Sequence, residues 1–279
     1  MCEREAMTQE FGYKRDPMSR TEADGSTTDW WEKDKNVSEL IGAAPQLALG
    51  DVDLRPFCTE SNQYALSACA GNATADAVEI VTNVVEAFKA TTEGRAPVFC
   101  PQLSRLFVYS LARTLDGSLG TDGGTYIRSC FEVLSRFGIP EETVWPYDDS
   151  KVFVSPSMIA QRSALGHKLH SYYRIKSTGQ NRLDEVVSAL RAMKPVVFGT
   201  LIEESFRNVG SLAPVGPPKG TTIGGHAMII VGFIGGNFLV KNSWGKGWGD
   251  KGYFLMSPEY LAWDETWDLW SPTLGFETF

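Results

Sequence analysis

Apolar residues are spread unevenly along the chain. The first fifty positions show no sustained three- or four-residue step, and Gly25-Ser26-Thr27-Thr28 sits in their middle. From Ala68 to Ala90 a helical stripe appears, with Ala73, Ala77, Val81, Val84, Val85 and Phe88 recurring at three- and four-residue steps. Pro101 to Leu115 predicts a second helix, entered through proline and left before Asp116-Gly117. Thr125 to Phe137 predicts a third, stopped by Gly138. After Trp145-Pro146-Tyr147 the period shortens. Leu169 to Ile175 alternates like a strand, Arg182 to Met193 reads as a helix, and Pro195 to Gly199 reads as a buried strand. Ala227–Phe233, Phe238–Val240 and Tyr253–Met256 are short β runs set off by glycine-rich turns. Trp263, Trp267 and Trp270 recur at about helical spacing and read as core or lobe-docking residues.

This pattern divides the chain into an arm, residues 1–50, and a body, residues 51–279. The body splits into a helical lobe over about 52–150 and a mostly β lobe over about 151–279, which makes the fold class α+β with two lobes. The arm is polar and acidic, and Trp30 and Trp31 are its natural anchors because each buries a large area. Their partner is either the protein's own surface or another chain.

Composition narrows the functions available. With 34 acidic and 26 basic residues the net charge is -8, which excludes a nucleic-acid binder reading the phosphate backbone. Hydrophobic residues make up 43% of 279, enough to bury a core without disulfide or metal staples. No apolar run approaches the length of a membrane span, and no apolar stretch follows Met1-Cys2-Glu3-Arg4-Glu5 as in a signal peptide. The five cysteines, Cys2, Cys58, Cys69, Cys100 and Cys130, are an odd number. We therefore expect reduced thiols, in the cytoplasm or within a phage particle.

Three residues carry the candidate chemistry. Cys69 opens the first predicted helix, where unpaired N–H groups and the helix dipole favour a thiolate. His226 stands in Gly224-Gly225-His226-Ala227, and Asn242 in Lys241-Asn242-Ser243-Trp244-Gly245. Taken singly, each has an ordinary explanation: a small buried hydrophobe, a core histidine, a turn asparagine. Together they form a set. A thiol nucleophile needs a base, and the base needs a third group to orient its ring. Asparagine can accept from an imidazole N–H without adding a charge. Trp244 is placed to cover that bond. Gln63, six residues before Cys69, can aim an amide N–H at the point the Cys69 backbone N–H faces. Such a pair of oxyanion donors is worth roughly 10²–10³ in rate per donor.

The order Gln63, Cys69, His226, Asn242, with intervals of 157 and 16 residues between the last three, resembles the papain-like cysteine peptidases of the C1 family. Asn242-Ser243-Trp244-Gly245 and Trp248-Gly249-Asp250-Lys251-Gly252-Tyr253-Phe254 carry the resemblance, and Gly225-His226-Ala227 supports it. Val52-Asp53-Leu54-Arg55 is similar to the family's mature start, Asp122-Gly123-Gly124 to its substrate-pairing segment, and Glu141 to Tyr147 to its inter-lobe stretch. The match covers about Val52 to Trp270 and is most similar to bacterial and phage members. It implies a two-lobe fold with the site in the cleft. It also implies a thiolate–imidazolium pair of Cys69 and His226, Asn242 as orienter and Gln63 at the oxyanion. Gly123, Gly124, Gly225 and Trp244 would lie against a polypeptide substrate, and no cofactor or metal is implied. The sequence departs from the family where Leu66 replaces the first signature cysteine, Ala70 the following tryptophan, and Tyr64 and Ser67 two glycines. Those departures keep a second expectation in view, a papain-like shell with a structural or binding role. A changed reaction, such as transglutamination or amidase chemistry, is disfavoured by Asn242-Ser243-Trp244-Gly245.

Overall fold

Two sets of elements face each other across a groove in the computed structural model. The described residues are 12–17, 19–21, 27–29, 34–41, 50–210 and 213–274. Trp30 and Trp31 lie outside them. The arm supplies strand β1 (Tyr13–Lys14), the antiparallel pair β2 (Ser19–Thr21) and β3 (Thr27–Asp29), and the short helix α1 (Val37–Ile41). After β4 (Val52–Asp53) the helical lobe follows, with α2 (Cys69–Thr92), α3 (Arg105–Leu115), β5 (Thr125–Tyr126), α4 (Ile127–Arg136) and α5 (Met158–Ala164).

The second lobe holds β6 (Ser171–Ile175), α6 (Gly179–Arg191), β7 (Val196–Glu203), β8 (Thr222–Ile234), β9 (Asn237–Lys241), β10 (Tyr253–Met256), α7 (Pro258–Ala262) and β11 (Thr266–Thr273). Its sheet runs β10-β9-β8-β7-β11-β6, with β4 on β8. The α+β class and the two lobes are as expected.

Boundaries moved for local reasons. α3 begins at Arg105 because Ser104 caps it, its Oγ accepting from Phe107 N–H at 3.2 Å. Thr125 and Tyr126 leave the expected third helix because they pair in parallel with Tyr13 and Lys14. Trp267 and Trp270 sit on β11, not on a helix, and a register shift falls between them. Trp270 does dock the lobes. Its ring is 5.6 Å from Tyr172, which stacks on Phe131 of α4 at 5.5 Å.

The boundary at residue 50 is softer than the sequence suggests, since parts of the arm belong to the body. Tyr13 and Val37 are fully buried, and Arg174 N–H of β6 donates to Lys35 O at 2.8 Å. For residues 12–17 and 34–41, the arm's partner is the protein's own surface.

Candidate active site

Cys69 is the first residue of α2, and its sulfur accepts from the backbone N–H of Ala227 at 3.4 Å. Ala227 follows His226 on β8, so the helix start is pressed against the strand that carries the imidazole. His226 Nε2 bonds Asn242 Oδ1 at 2.7 Å, and Ser243 N–H donates to the same oxygen at 2.8 Å. That second bond sets the amide so that its oxygen faces the ring. Trp244 lies 4.9 Å from the imidazole, ring centre to ring centre, and Phe206 lies 6.3 Å away.

Gln63 joins the two lobes beside them. Its N–H donates to Ser243 O (2.8 Å), its Oε1 accepts from Ser243 Oγ (2.7 Å), and its Nε2 donates to Leu66 O (2.9 Å). A cavity of about 450 Å³ opens here, lined by residues 63–67, Arg207 and Trp244. Tyr64 adopts φ +47° and stands 68% exposed on the cavity's rim, its ring 6.0 Å from Tyr147. Left-handed backbone is strained for tyrosine, the cost of having it where the family carries glycine.

Cys69 and His226 are both fully buried. Burial pushes the Cys69 thiol up to about 12, against the Ala227 and Ala70 amides that favour the thiolate. Burial also takes His226 down to about 4. Removing water penalises every charged form, and here it outweighs the helix start. In this closed arrangement burial works against the expected charged pair at both partners.

The arm runs close by. A Cβ on Gly12 would fall 1.8 Å from Ser67 O, and one on Gly124 would fall 2.1 Å from Gly12 O, so the main chain at residue 12 is wedged between these two sites. Gly12 O accepts from Thr125 N–H at 2.9 Å. The segment expected to pair with a polypeptide, Asp122-Gly123-Gly124, thus borders the protein's own arm. Asp122 is turned to Ser67 N–H at 3.1 Å and to Tyr109 Oη at 2.5 Å. Gly225 is buried on β8 opposite Leu201.

Sequence reasoning missed two buried charge clusters. At the lobe seam, Arg105 pairs with Asp76 and Glu79 at 2.7 Å, and Lys241, next to Asn242, pairs with Asp76. Under the arm, Arg128 holds Asp16 and Asp34 at 2.7 Å, while Arg174 holds Asp268 at 2.6 Å and Asp16 at 3.0 Å. Their partners are far apart in sequence, so no local pattern announces them. The only local hint is an Asp and a Glu at i, i+3 within the stripe of α2. No group of three or more His, Cys, Asp or Glu suited to a metal occurs among the described residues.

A helix-borne thiol set against a histidine strand, with asparagine behind the ring, defines the class of cysteine peptidases. The profile of the papain family cysteine proteases matches residues 62–262. The chain is 35% identical to an uncharacterized peptidase C1-like protein of Acanthamoeba polyphaga mimivirus, over 78% of this chain and 72% of that one. It is 28% identical to a cathepsin L-like proteinase of Fasciola hepatica, over 50% of this chain and 42% of that protein. Among solved structures it is similar to xylellain, a cysteine protease from Xylella fastidiosa, with 26% identity and a TM-score of 0.72 over 95% and 96% of the two chains. This chain belongs to the papain family of cysteine proteases.

Proposed function

We propose that the chain hydrolyses peptide bonds through Cys69, His226 and Asn242, and that residues 12–17 hold the site shut until they withdraw. The observation that carries this reading is the Cys69 sulfur seated on the Ala227 amide, next to an imidazole clamped by Asn242 at 2.7 Å. With Nε2 engaged by Asn242, the other ring nitrogen is the one that serves the sulfur. Once water enters, the burial penalty falls, the proton passes from sulfur to ring, and the helix start favours the thiolate.

The thiolate attacks the scissile carbonyl carbon. The oxyanion is held by the Cys69 backbone N–H and by the second N–H of Gln63 Nε2, the first being engaged with Leu66 O. The tetrahedral adduct collapses to a thioester as His226 gives its proton to the leaving amine. His226 then takes a proton from water, and the hydroxide releases the carboxylic product and the thiol. Trp244 shields the Asn242–His226 bond from water. A reducing setting suits such a thiol, which oxidises readily.

The occupied groove also favours the second reading, an inert shell. Labelling separates the two. The full chain and its Tyr13→Ala variant, which loses an arm anchor, are treated with an epoxysuccinyl inhibitor and mapped by mass spectrometry. We expect slow labelling of the native chain, fast labelling of the variant at Cys69, and none when His226→Ala is added. Failure to label Cys69 in either chain leaves the shell reading.

A further inference from the structure

Exposed apolar side chains gather in one short stretch of the helical lobe. Among the described residues eight large hydrophobics are exposed, and five of them, Phe153, Val154, Met158, Ile159 and Leu165, fall within residues 153–165. Met158 and Ile159 are 77% and 76% exposed. Apolar residues scattered singly over a surface need no explanation, but a cluster marks a face that meets something.

The helix α5 keeps this face outward. Ala160 and Ala164, one turn apart, are fully buried, so Met158, Ile159 and Leu165 fall on the side away from them. A surface helix ordinarily turns its large apolar residues to the core. Here only small ones fit within, because the helix end packs main chain against main chain. Ala164 O accepts from Ile139 N–H at 3.0 Å, and a Cβ on Gly138 would fall 2.0 Å from that oxygen. The helix start is tied as well. Ser157 Oγ accepts from Ala160 N–H at 3.2 Å, and Gln161 Nε2 donates to Pro156 O at 2.8 Å. Rolling the helix to hide Met158 and Ile159 would break these contacts.

Charge selects the partner. No Asp or Glu stands between Ser150 and Ser171, whereas Lys151, Arg162 and Lys168 do, in a chain of net charge -8. Lys151 is shared with Asp148 at 3.5 Å. Arg162 follows Met158 by one turn, amid the outward apolar residues, and it and Lys168 are exposed. At physiological ionic strength exposed charges are screened beyond about 8 Å, so an approaching surface meets this patch rather than the whole chain. A second copy seated here about a two-fold axis would set the patch's cations against their own like charges. An anionic lipid surface suits both features. Its headgroups take the cations and its acyl boundary takes the apolar side chains. No helix among the described residues is long and apolar enough to cross a membrane, so the contact is a shallow one.

We propose that residues 153–165 dock the protein on an anionic membrane surface, Met158 and Ile159 entering the acyl boundary while Arg162 and Lys168 meet the headgroups. The proposal is independent of the peptidase reading.

The test is co-sedimentation of the full chain with vesicles of phosphatidylserine and phosphatidylcholine in equal parts, beside vesicles of phosphatidylcholine alone. Binding to the first should be about tenfold tighter or more, and should fall as salt is raised. Ile159→Ser should weaken it about tenfold and Arg162→Gln about fivefold. Both side chains are exposed, so neither substitution should move the melting temperature. Val98→Ser, at a position 78% exposed but outside residues 153–165, should leave vesicle binding unchanged. No binding, equal binding to the two vesicle types, or binding unmoved by Ile159→Ser overturns the proposal. Two other results overturn it by naming another occupant. A dimer in sedimentation equilibrium that Ile159→Ser dissociates gives the face to a second copy. Heparin binding without vesicle binding gives it to a soluble polyanion.

Discussion

Two buried clusters of ions flank the groove, and their bookkeeping differs. At the seam, Asp76 and Glu79 face Arg105 and Lys241, two charges of each sign. Under the arm, the ion pairs among the described residues join Asp16, Asp34 and Asp268 to Arg128 and Arg174. The same residue type responds in opposite directions. Burial alone would raise Asp76, but Lys241 and Arg105 outweigh it and hold the carboxyl below its usual range. Burial and the nearby Asp268 raise Asp16 to about 6, although Arg128 and Arg174 both touch it. The seam is matched, joins two parts of one body and stabilises the site. Among the described residues the arm cluster joins three carboxylates to two guanidinium groups, and Asp16 belongs to the segment that runs against Ser67 and Gly124. The lesson is that burial with ion pairs does not by itself make a permanent bond. The charge count and the ownership of the residues decide which cluster can open.

The seam should show the largest effect. Arg105→Met leaves Asp76 and Glu79 buried without their guanidinium and should cost about 3–5 kcal/mol in urea unfolding. A loss below about 1 kcal/mol would mean the seam is no more essential than the arm cluster. Next comes release of the arm. Asp34→Ala removes the partner that Arg128 holds at 2.7 Å and Arg174 at 3.1 Å. Labelling of Cys69 should accelerate by about ten- to a hundredfold while the unfolding midpoint moves little. An unchanged rate with a large stability loss would place this cluster in the body like the other.

The pH dependence sharpens the contrast further. His226 has a folded value of about 4, below its ordinary value of roughly 6.5. Between these values the unfolded chain binds more protons, so stability present above about 6.5 is lost as the pH falls towards 4, by about 3 kcal/mol at most. Asp16 works the other way. Its folded value, about 6, lies above the ordinary carboxylate value, so its contribution is full below about 4 and fades as the pH rises through 6. Asp16→Asn should therefore make the acid loss steeper, measured as urea unfolding at pH 6.5 and 4.5. The smallest effect sets the baseline. The exposed pair of Glu132 and Arg136, at 2.6 Å on α4, should be worth under about 0.5 kcal/mol when Glu132→Ala is measured by thermal melting.

Much of the site was legible in the chain because its parts have local signatures. Cys69 opens a helix whose stripe is visible from Ala73 onward, and Asn242 and Trp244 lie in a glycine-bounded turn. Even so, the strand lengths were underestimated. β7 and β8 run on to Glu203 and from Thr222 because pairing between them continues through polar and glycine positions. The pairing of Tyr13 with Thr125 was invisible, since a two-residue parallel strand has no periodicity to detect. What burial does to the charged forms of the pair was illegible for a related reason. Helix position can be read in sequence, but burial under a segment more than fifty residues away cannot.

By itself the sequence determined the family, the two-lobe α+β plan and the candidate set Gln63, Cys69, His226 and Asn242, because short-range spacing and backbone preference encode each part. Only the tertiary structure decided that the arm runs against Ser67 and Gly124, that Tyr13 reaches Asp268, and that burial works against the charged forms of the thiol and the imidazole. Those outcomes depend on desolvation and on charges brought together across 94 to 255 residues of chain. Such contacts form only when distant segments pack, and no local pattern records them.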